Sequence, residues 1–349
     1  MRFRELLEAA ISAPSGDNCQ PWRFEVRGEQ IRIFNLPDRD TSLFNYRQRA
    51  SLVAHGALLE NLTIAAGAAG YRAEIAFFPE TASPDLVATV DLLPGADGAG
   101  RLVRAIPLRC TNRRRYDGAP LTDDERRALI TAGDGLPGTV VLTRPRSEQA
   151  AVADIIALND RLVFENQHLH AFLFDHIRWD DREARVTLDG LDIKTLDLAP
   201  PDRIMFPMLK NWPLVKVLAS FGVSRIIAGN ARKQAMSAGA LGAVVIPDNS
   251  DLSYVNAGRI MERVWLEATG LGLSFQLMTG ITFLMQRVAD GETEHLSPDH
   301  VKLVRDGRAK LESIVGTRGG VAAIMFRVGR STPPSARSLR IPLERVVSQ

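Results

Sequence analysis

Two short stretches of this chain carry residue types that could together hold an anionic, aromatic small molecule. In Ala13-Pro14-Ser15-Gly16-Asp17-Asn18-Cys19-Gln20-Pro21-Trp22, turn formers, two amides that both donate and accept, and an indole share one loop ahead of a strand. Asn18, Gln20 and Trp22 alternate, and a turn-rich loop gains little stability by carrying them, so a planar heteroaromatic with imide edges would suit their donors and acceptors. In Arg109-Cys110-Thr111-Asn112-Arg113-Arg114-Arg115-Tyr116, fixed positive charge and a hydroxyl stand ahead of a helical pattern, which is the chemistry that binds phosphate. An extended backbone here points Arg109, Thr111 and Arg113 to one side and Asn112 and Arg114 to the other. Alone, such a run is equally a solvated basic face. Taken together, the two stretches read as two parts of one cofactor site.

Composition limits what else the chain could do. With 349 residues, 45% of them hydrophobic, it can bury a large core as one big domain or as two equivalent halves. A net charge of +2, from 43 Lys+Arg against 41 Asp+Glu, gives no field that argues for nucleic acid or an anionic membrane surface, so any basic function must be local. The two cysteines, Cys19 and Cys110, are too few for a disulfide framework and suit a reducing compartment, where they read as small space fillers beside a ligand. The first residues include Arg2, Arg4 and Glu5 and do not form a secretory signal. The most apolar segment, 204–228, is broken by Lys210, Asn211, Lys216, Ser224 and Arg225 and by Pro207 and Pro213, short of the roughly 18 uninterrupted apolar residues of a membrane helix. The expectation is a soluble, cytoplasmic protein acting on a small molecule, with no nucleic-acid or membrane partner. His55, His168, His170 and His176 have no Cys or carboxylate pattern to complete a metal site, so none is expected.

The elements that must position the two stretches can be read from periodicity. Phe3, Leu6, Leu7, Ala10 and Ile11 predict an amphipathic helix stopped by Pro14 and Gly16. Residues 22–26 and 30–34 alternate about an Arg27-Gly28-Glu29 turn and predict a β-hairpin. A helix over 51–69 follows, then strands near 73–78 and 86–93. An internal echo lays Gly56 on Gly258 and Glu60 on Glu262, with strand 86–93 matching 321–328, and Thr122 with Glu125 opens a helix by a capping box, echoing the first one. The chain reads as a duplicated α+β unit of two mixed sheets, with residues 1–100 and 101–349 as its halves and a boundary near Asp97-Gly98-Ala99-Gly100. An insertion at about 146–238 has no counterpart in the first half and is expected to be a helical lid. The tail 329–345, with Pro333-Pro334 and four arginines, reads as an extended arm crossing the surface.

The first stretch resembles the Ala-Pro-Ser-x-x-Asn-x-Gln-Pro-Trp signature of the FMN-dependent nitroreductase superfamily. Arg109-x-Thr111-x-Arg113, followed by Tyr116, Pro120 and Leu121, is similar to that family's Arg-x-Ser/Thr-x-Arg-x-Phe/Tyr segment. In the family this segment precedes the first helix, whereas here it opens the second half. Residues 271–280 and the tail, with Arg340-Ile341-Pro342-Leu343, also look like family elements, so the likeness spans most of the chain outside the insertion. Because the first half keeps the loop and lacks the arginine segment, while the second keeps the segment and has Asp134-Gly135-Leu136-Pro137-Gly138 in place of the loop, the layout is similar to the two-halved, Acg-type branch.

The resemblance implies a nitroreductase-like α+β fold, an intramolecular pseudo-dimer, one FMN per chain, and NADH or NADPH as electron donor. A monomer would suffice. It places Arg109, Thr111 and Arg113 on the FMN phosphate and ribityl, with Arg337 or Arg340 closing over them. Pro14, Ser15, Asn18 and Gln20 would line the isoalloxazine, and Gln276, Met278 and Thr279 would lie near the reactive edge. Asp17 stands where this branch often shows His, and Cys19 where Thr is common. No catalytic side chain is implied, because the flavin itself carries the chemistry. The expected function is reduction of nitroaromatic or quinone-like acceptors. The competing expectation is a flavin-sequestering or sensing protein whose insertion blocks turnover.

Overall fold

The computed structural model describes residues 2–95, 99–144, 146–317 and 319–348. The proposed boundary at Asp97-Gly98 lies outside the described residues. The first half runs α1 (Arg2–Ile11), β1 (Trp22–Arg27), β2 (Gln30–Asn35), α2 (Arg49–Ala68), β3 (Tyr71–Phe77) and β4 (Leu86–Pro94). The expected hairpin is present, with Gly28 at φ 60° in its turn, where a side chain would be strained. The second half runs α3 (Asp123–Thr131) and β5 (Thr139–Leu142) into the insertion. The insertion comprises α4 (Arg146–Glu165), α5 (Gln167–His176), β6 (Ile177–Arg178), α6 (Asp181–Thr187), β7 (Leu191–Asp192), α7 (Pro200–Met205), α8 (Trp212–Ser220) and α9 (Val223–Met236). Next come β8 (Ala240–Ile246), α10 (Asp251–Gly270), β9 (Ser274–Leu277), α11 (Gly280–Ala289), α12 (Pro298–Val315), β10 (Val321–Gly329) and, after the tail, β11 (Val347–Ser348).

The duplication is visible in strand order. The first sheet is ordered β11-β1-β2-β4-β3 and the second β5-β8-β10-β9, so β1, β2, β4 and β3 correspond to β5, β8, β10 and β9. Every neighbouring pair within these matched sets is antiparallel. The expectation of a mixed sheet in each half is therefore corrected: the named strands of the second pair antiparallel, with a parallel contact only at the isolated Thr111–Phe275 bridge, and the first gains a parallel pairing only where β11 joins β1. The insertion sits between β5 and β8, where the first half has the two-residue turn between β1 and β2. The capping box on α3 forms as read, with the Thr122 hydroxyl accepting from the Glu125 N–H and the Glu125 carboxylate from the Thr122 N–H.

The halves meet along α2 and α10. α2 is largely apolar and buries nearly every residue, and α10 buries thirteen of its twenty, as helices packed at the centre of a large core do. Their closest approach is at Gly56 and Gly258: a Cβ on Gly56 would lie 2.0 Å from the Val255 carbonyl oxygen, and one on Gly258 2.0 Å from that of Val53. The pairing is reciprocal, as a two-fold relation between halves requires. The tail is more than a surface arm. It leaves β10 in the second half, buries Ile341 and Leu343, and ends as β11 on the edge of the first sheet.

Candidate functional site

The Pro14 loop follows α1 and is held in unusual backbone. Asp17, Asn18 and Gln20 have φ of 41°, 58° and 52°, a left-handed region that non-glycine residues rarely adopt, so the surroundings must over-determine the loop. They do so through the tail and the insertion. Asn18 donates to the Leu339 carbonyl at 3.1 Å and accepts from Arg340 at 2.8 Å. Gln20 accepts from the Ile341 N–H at 2.8 Å and donates to the Leu188 carbonyl at 2.8 Å, while the Ser15 hydroxyl accepts from its backbone N–H. Trp22 is fully buried in the core.

The arginine segment lies along β9. Thr111 bridges Phe275, and the Asn112 N–H donates to the Phe275 carbonyl at 3.0 Å. The extended backbone sorts the side chains as the alternation predicts. Arg109, Thr111 and Arg113 line a cleft, whereas Asn112 turns inward to Ser274 and Thr332, and Arg114 reaches Asp197 and Thr332.

The cleft, about 260 Å³, lies where the first half's loop faces the second half's arginine segment, and the tail and insertion complete its walls. Of the sequence-predicted residues, Pro14, Ser15, Asn18, Arg109, Thr111, Arg113, Arg337 and Arg340 line it together. Gln20 lies behind the wall. Gln276, Met278 and Thr279 are outside it: Gln276 accepts from the buried Arg327 at 2.7 Å, the Met278 N–H donates to the Met325 carbonyl, and Thr279 precedes α11 without a side-chain capping bond. Sequence reading also passed over several wall residues, among them Ser12, Ile106, Leu191 and Thr195. Their types signal nothing, and only the fold brings them here.

The electrostatics of the cleft are those of an anion site. Arg109 is buried, lies 4.4 Å over the Trp265 ring, donates to the Ser12 carbonyl at 2.7 Å, and has its Nε 3.2 Å from the Glu262 carboxylate. Arg113 donates to the Thr195 carbonyl at 3.1 Å, and Arg337 to that of Arg109 at 2.6 Å. Burial, and then repulsion from Arg109, lower the Arg340 guanidinium to about 9, and its Nε is buried with no hydrogen-bond partner. Burial likewise lowers Arg109 and Arg113. Two carboxyls face this group of four cations. Burial drives Glu262 up to about 7 despite Arg109, and it raises Asp17 at the cleft wall despite His176 and Arg113. Clustered guanidinia with an unpartnered donor fit a phosphate, whose charge offsets their mutual repulsion. Among the described residues no group of His, Cys, Asp and Glu is arranged to hold a metal ion.

No family model matches the chain. It is 27% identical over 340 residues to the Mycobacterium tuberculosis protein named "Putative NAD(P)H nitroreductase acg", a match covering 95% of this chain and 92% of that one. It is 28% identical over 342 residues to the uncharacterised protein MT1398 of the same organism, again over 95% of this chain, and spans 46% of that relative's length. Among solved structures, the likeness to a nitroreductase from Anabaena variabilis covers 94% of this chain and 73% of the other, at 13% identity and a TM-score of 0.41. Along nearly its whole length the chain is thus similar to a protein named as a putative NAD(P)H nitroreductase.

Proposed function

We propose that this protein is an FMN-dependent oxidoreductase that uses NADH or NADPH to reduce nitroaromatic or quinone-like acceptors, with one flavin per chain between residues 1–100 and 101–349. The reading is carried by one observation: Arg109, Arg113, Arg337 and Arg340 converge on a cleft that the Pro14–Asn18 loop of the other half also lines. The full-length homologue named as a nitroreductase supports it. Bound there, FMN would supply a two-electron carrier between a nicotinamide and an electron-poor acceptor. The four arginines and Thr111 would bind and orient the phosphate and ribityl, and Pro14, Ser15 and Asn18 would face the ring. Gln20 would position the loop by tying it to Ile341 and Leu188. Gln276, Met278 and Thr279 would support the cleft from behind, through β9 and the turn after it.

Purified protein is expected to show flavin absorbance. Arg109→Ala with Arg113→Ala should abolish it, with circular dichroism checking that the fold survives the loss of Arg109's contacts to Glu262 and Ser12, and a folded double variant with full FMN occupancy would remove the site assignment. Stopped-flow mixing of the holoprotein with NADH or NADPH should bleach the oxidised band. A second reading, flavin sequestration without turnover, is favoured by the bonds from Gln20 to Leu188 and from Arg113 to Thr195, which fasten the insertion across both motifs. Bound flavin that neither nucleotide bleaches within minutes would select that reading over the oxidoreductase.

A further inference from the structure

The insertion has an outer face as well as the inner one that walls the cleft. From α7 to α9 it groups large exposed apolar side chains: Ile204 is 76% exposed, Phe221 81% and Ile226 64%, with Met205, Met208 and Val217 more than half exposed, whereas elsewhere among the described residues comparable exposure is confined to the isolated Leu108 and Val186. Leu214, Val217 and Phe221 fall three and four residues apart and so form one stripe on α8 and its end, while Val215 faces inward. Exposed apolar groups in this number form a surface that waits for a partner.

Charge says which partner. Between residues 199 and 236 the chain carries Arg203, Lys210, Lys216, Arg225, Arg232 and Lys233 against Asp202 alone, an excess of five positive charges in a chain whose total is +2. The near-neutral total, which argued against a membrane surface, therefore conceals a basic, apolar segment at 199–236, although the insertion as a whole is neutral because residues 146–198 are net acidic, and Arg232 is paired with Asp154 at 2.6 Å. A second copy docking through the same face would set this excess against itself. An anionic lipid surface complements both features at once, taking the apolar side chains into the acyl boundary and the Lys and Arg heads among the phosphates.

Spanning is a different matter. No single helix among the described residues is long and apolar enough to cross a membrane, and α8 with α9 reaches that length and hydropathy only across an 88° bend. Ser224, Ala228, Ala231 and Ala235 of α9 are moreover buried against the protein. We infer that the α7–α9 surface docks the protein peripherally on anionic membranes.

The test is co-sedimentation of the full chain with phosphatidylcholine vesicles, with and without phosphatidylglycerol. Binding is expected only to the anionic vesicles, and it should fall as salt rises. Val217→Ser with Phe221→Ser should weaken it more than tenfold, and Lys210→Glu or Lys216→Glu by about fivefold or more each. All four positions are exposed and outside the cleft, so thermal unfolding and bound flavin should be unchanged, which separates lost docking from lost fold. Absence of binding to anionic vesicles, or binding that none of these changes weakens, would overturn the inference. So would a dimer that the Val217/Phe221 variant dissolves while vesicles stay unbound, since the face would then join two copies.

Discussion

Glu60 on α2 and Glu262 on α10 occupy matching places in the two halves, and both are fully buried, yet their surroundings differ sharply. Glu60 meets Arg259 at 2.9 Å and Arg263 at 2.5 Å, and Arg263 also donates to the Asp134 carbonyl at 3.2 Å, in the turn that replaces the Pro14-type loop. Glu262 has one direct cationic neighbour, Arg109 at 3.2 Å, beyond which Arg113, Arg337 and Arg340 surround an open cleft. At the first pole, two arginines pair the carboxylate directly. At the mirror pole, three further arginines stand beyond the paired one and line a cleft. The duplicated frame thus packs at both poles, whereas the cleft lined by clustered arginines lies at the Glu262 pole.

The largest expected effect comes from unpairing the Glu60 pole. Arg259→Ala with Arg263→Ala leaves Glu60 as a buried carboxylate without a cation, which should cost about 3–5 kcal/mol. Urea unfolding should show that loss while flavin occupancy stays as in the unaltered chain. Equal flavin loss in this variant and in Arg109→Ala with Arg113→Ala would mean that the two poles are not distinct.

Packing should treat the poles alike. Gly56→Ala and Gly258→Ala each drive a methyl against a carbonyl oxygen of the facing helix, so each should destabilise by about 1–3 kcal/mol and by similar amounts. Unequal shifts in the urea midpoint would show that the crossing of α2 and α10 is less symmetric than its contacts.

The reach of sequence reading follows the same division. The hairpin, the capping box, the Gly56/Gly258 and Glu60/Glu262 echo and the sorting of Arg109 to Arg114 were all legible, because each depends on local periodicity or on a repeat. The partner of Glu262 was not, since Arg109 lies far away in the chain and only the packing of the halves brings them together. Gln20 misled for a related reason: an amide in a loop looks like a ligand group, and its contacts with Leu188 and Ile341 come from segments more than a hundred and fifty residues on. The tail's last strand escaped notice because two residues, Val347 and Ser348, are too few for alternation to register.

The smallest expected effect sharpens the comparison most, because it concerns a proton. Burial raises Glu262 to about 7 from an ordinary value of 4.5. Below that point it is neutral and leaves the charge of Arg109 to a bound phosphate; above it the carboxylate competes for the same guanidinium. Ionisation of Glu262 should therefore weaken FMN binding as pH rises through about 7, by roughly fivefold for an interaction near 1 kcal/mol. The phosphate's own second ionisation, near pH 6, acts in the opposite direction and would mask this in the wild type alone. Glu262→Gln is unable to ionise but shares the phosphate term, so the ratio of its FMN affinity to that of the wild type isolates the carboxyl. Flavin fluorescence titrations should find the ratio near one at pH 5.5 and rising to about five by pH 8.5. A ratio flat across that range would place the Glu262 proton outside the binding equilibrium and leave the cleft's charge excess to the arginines alone.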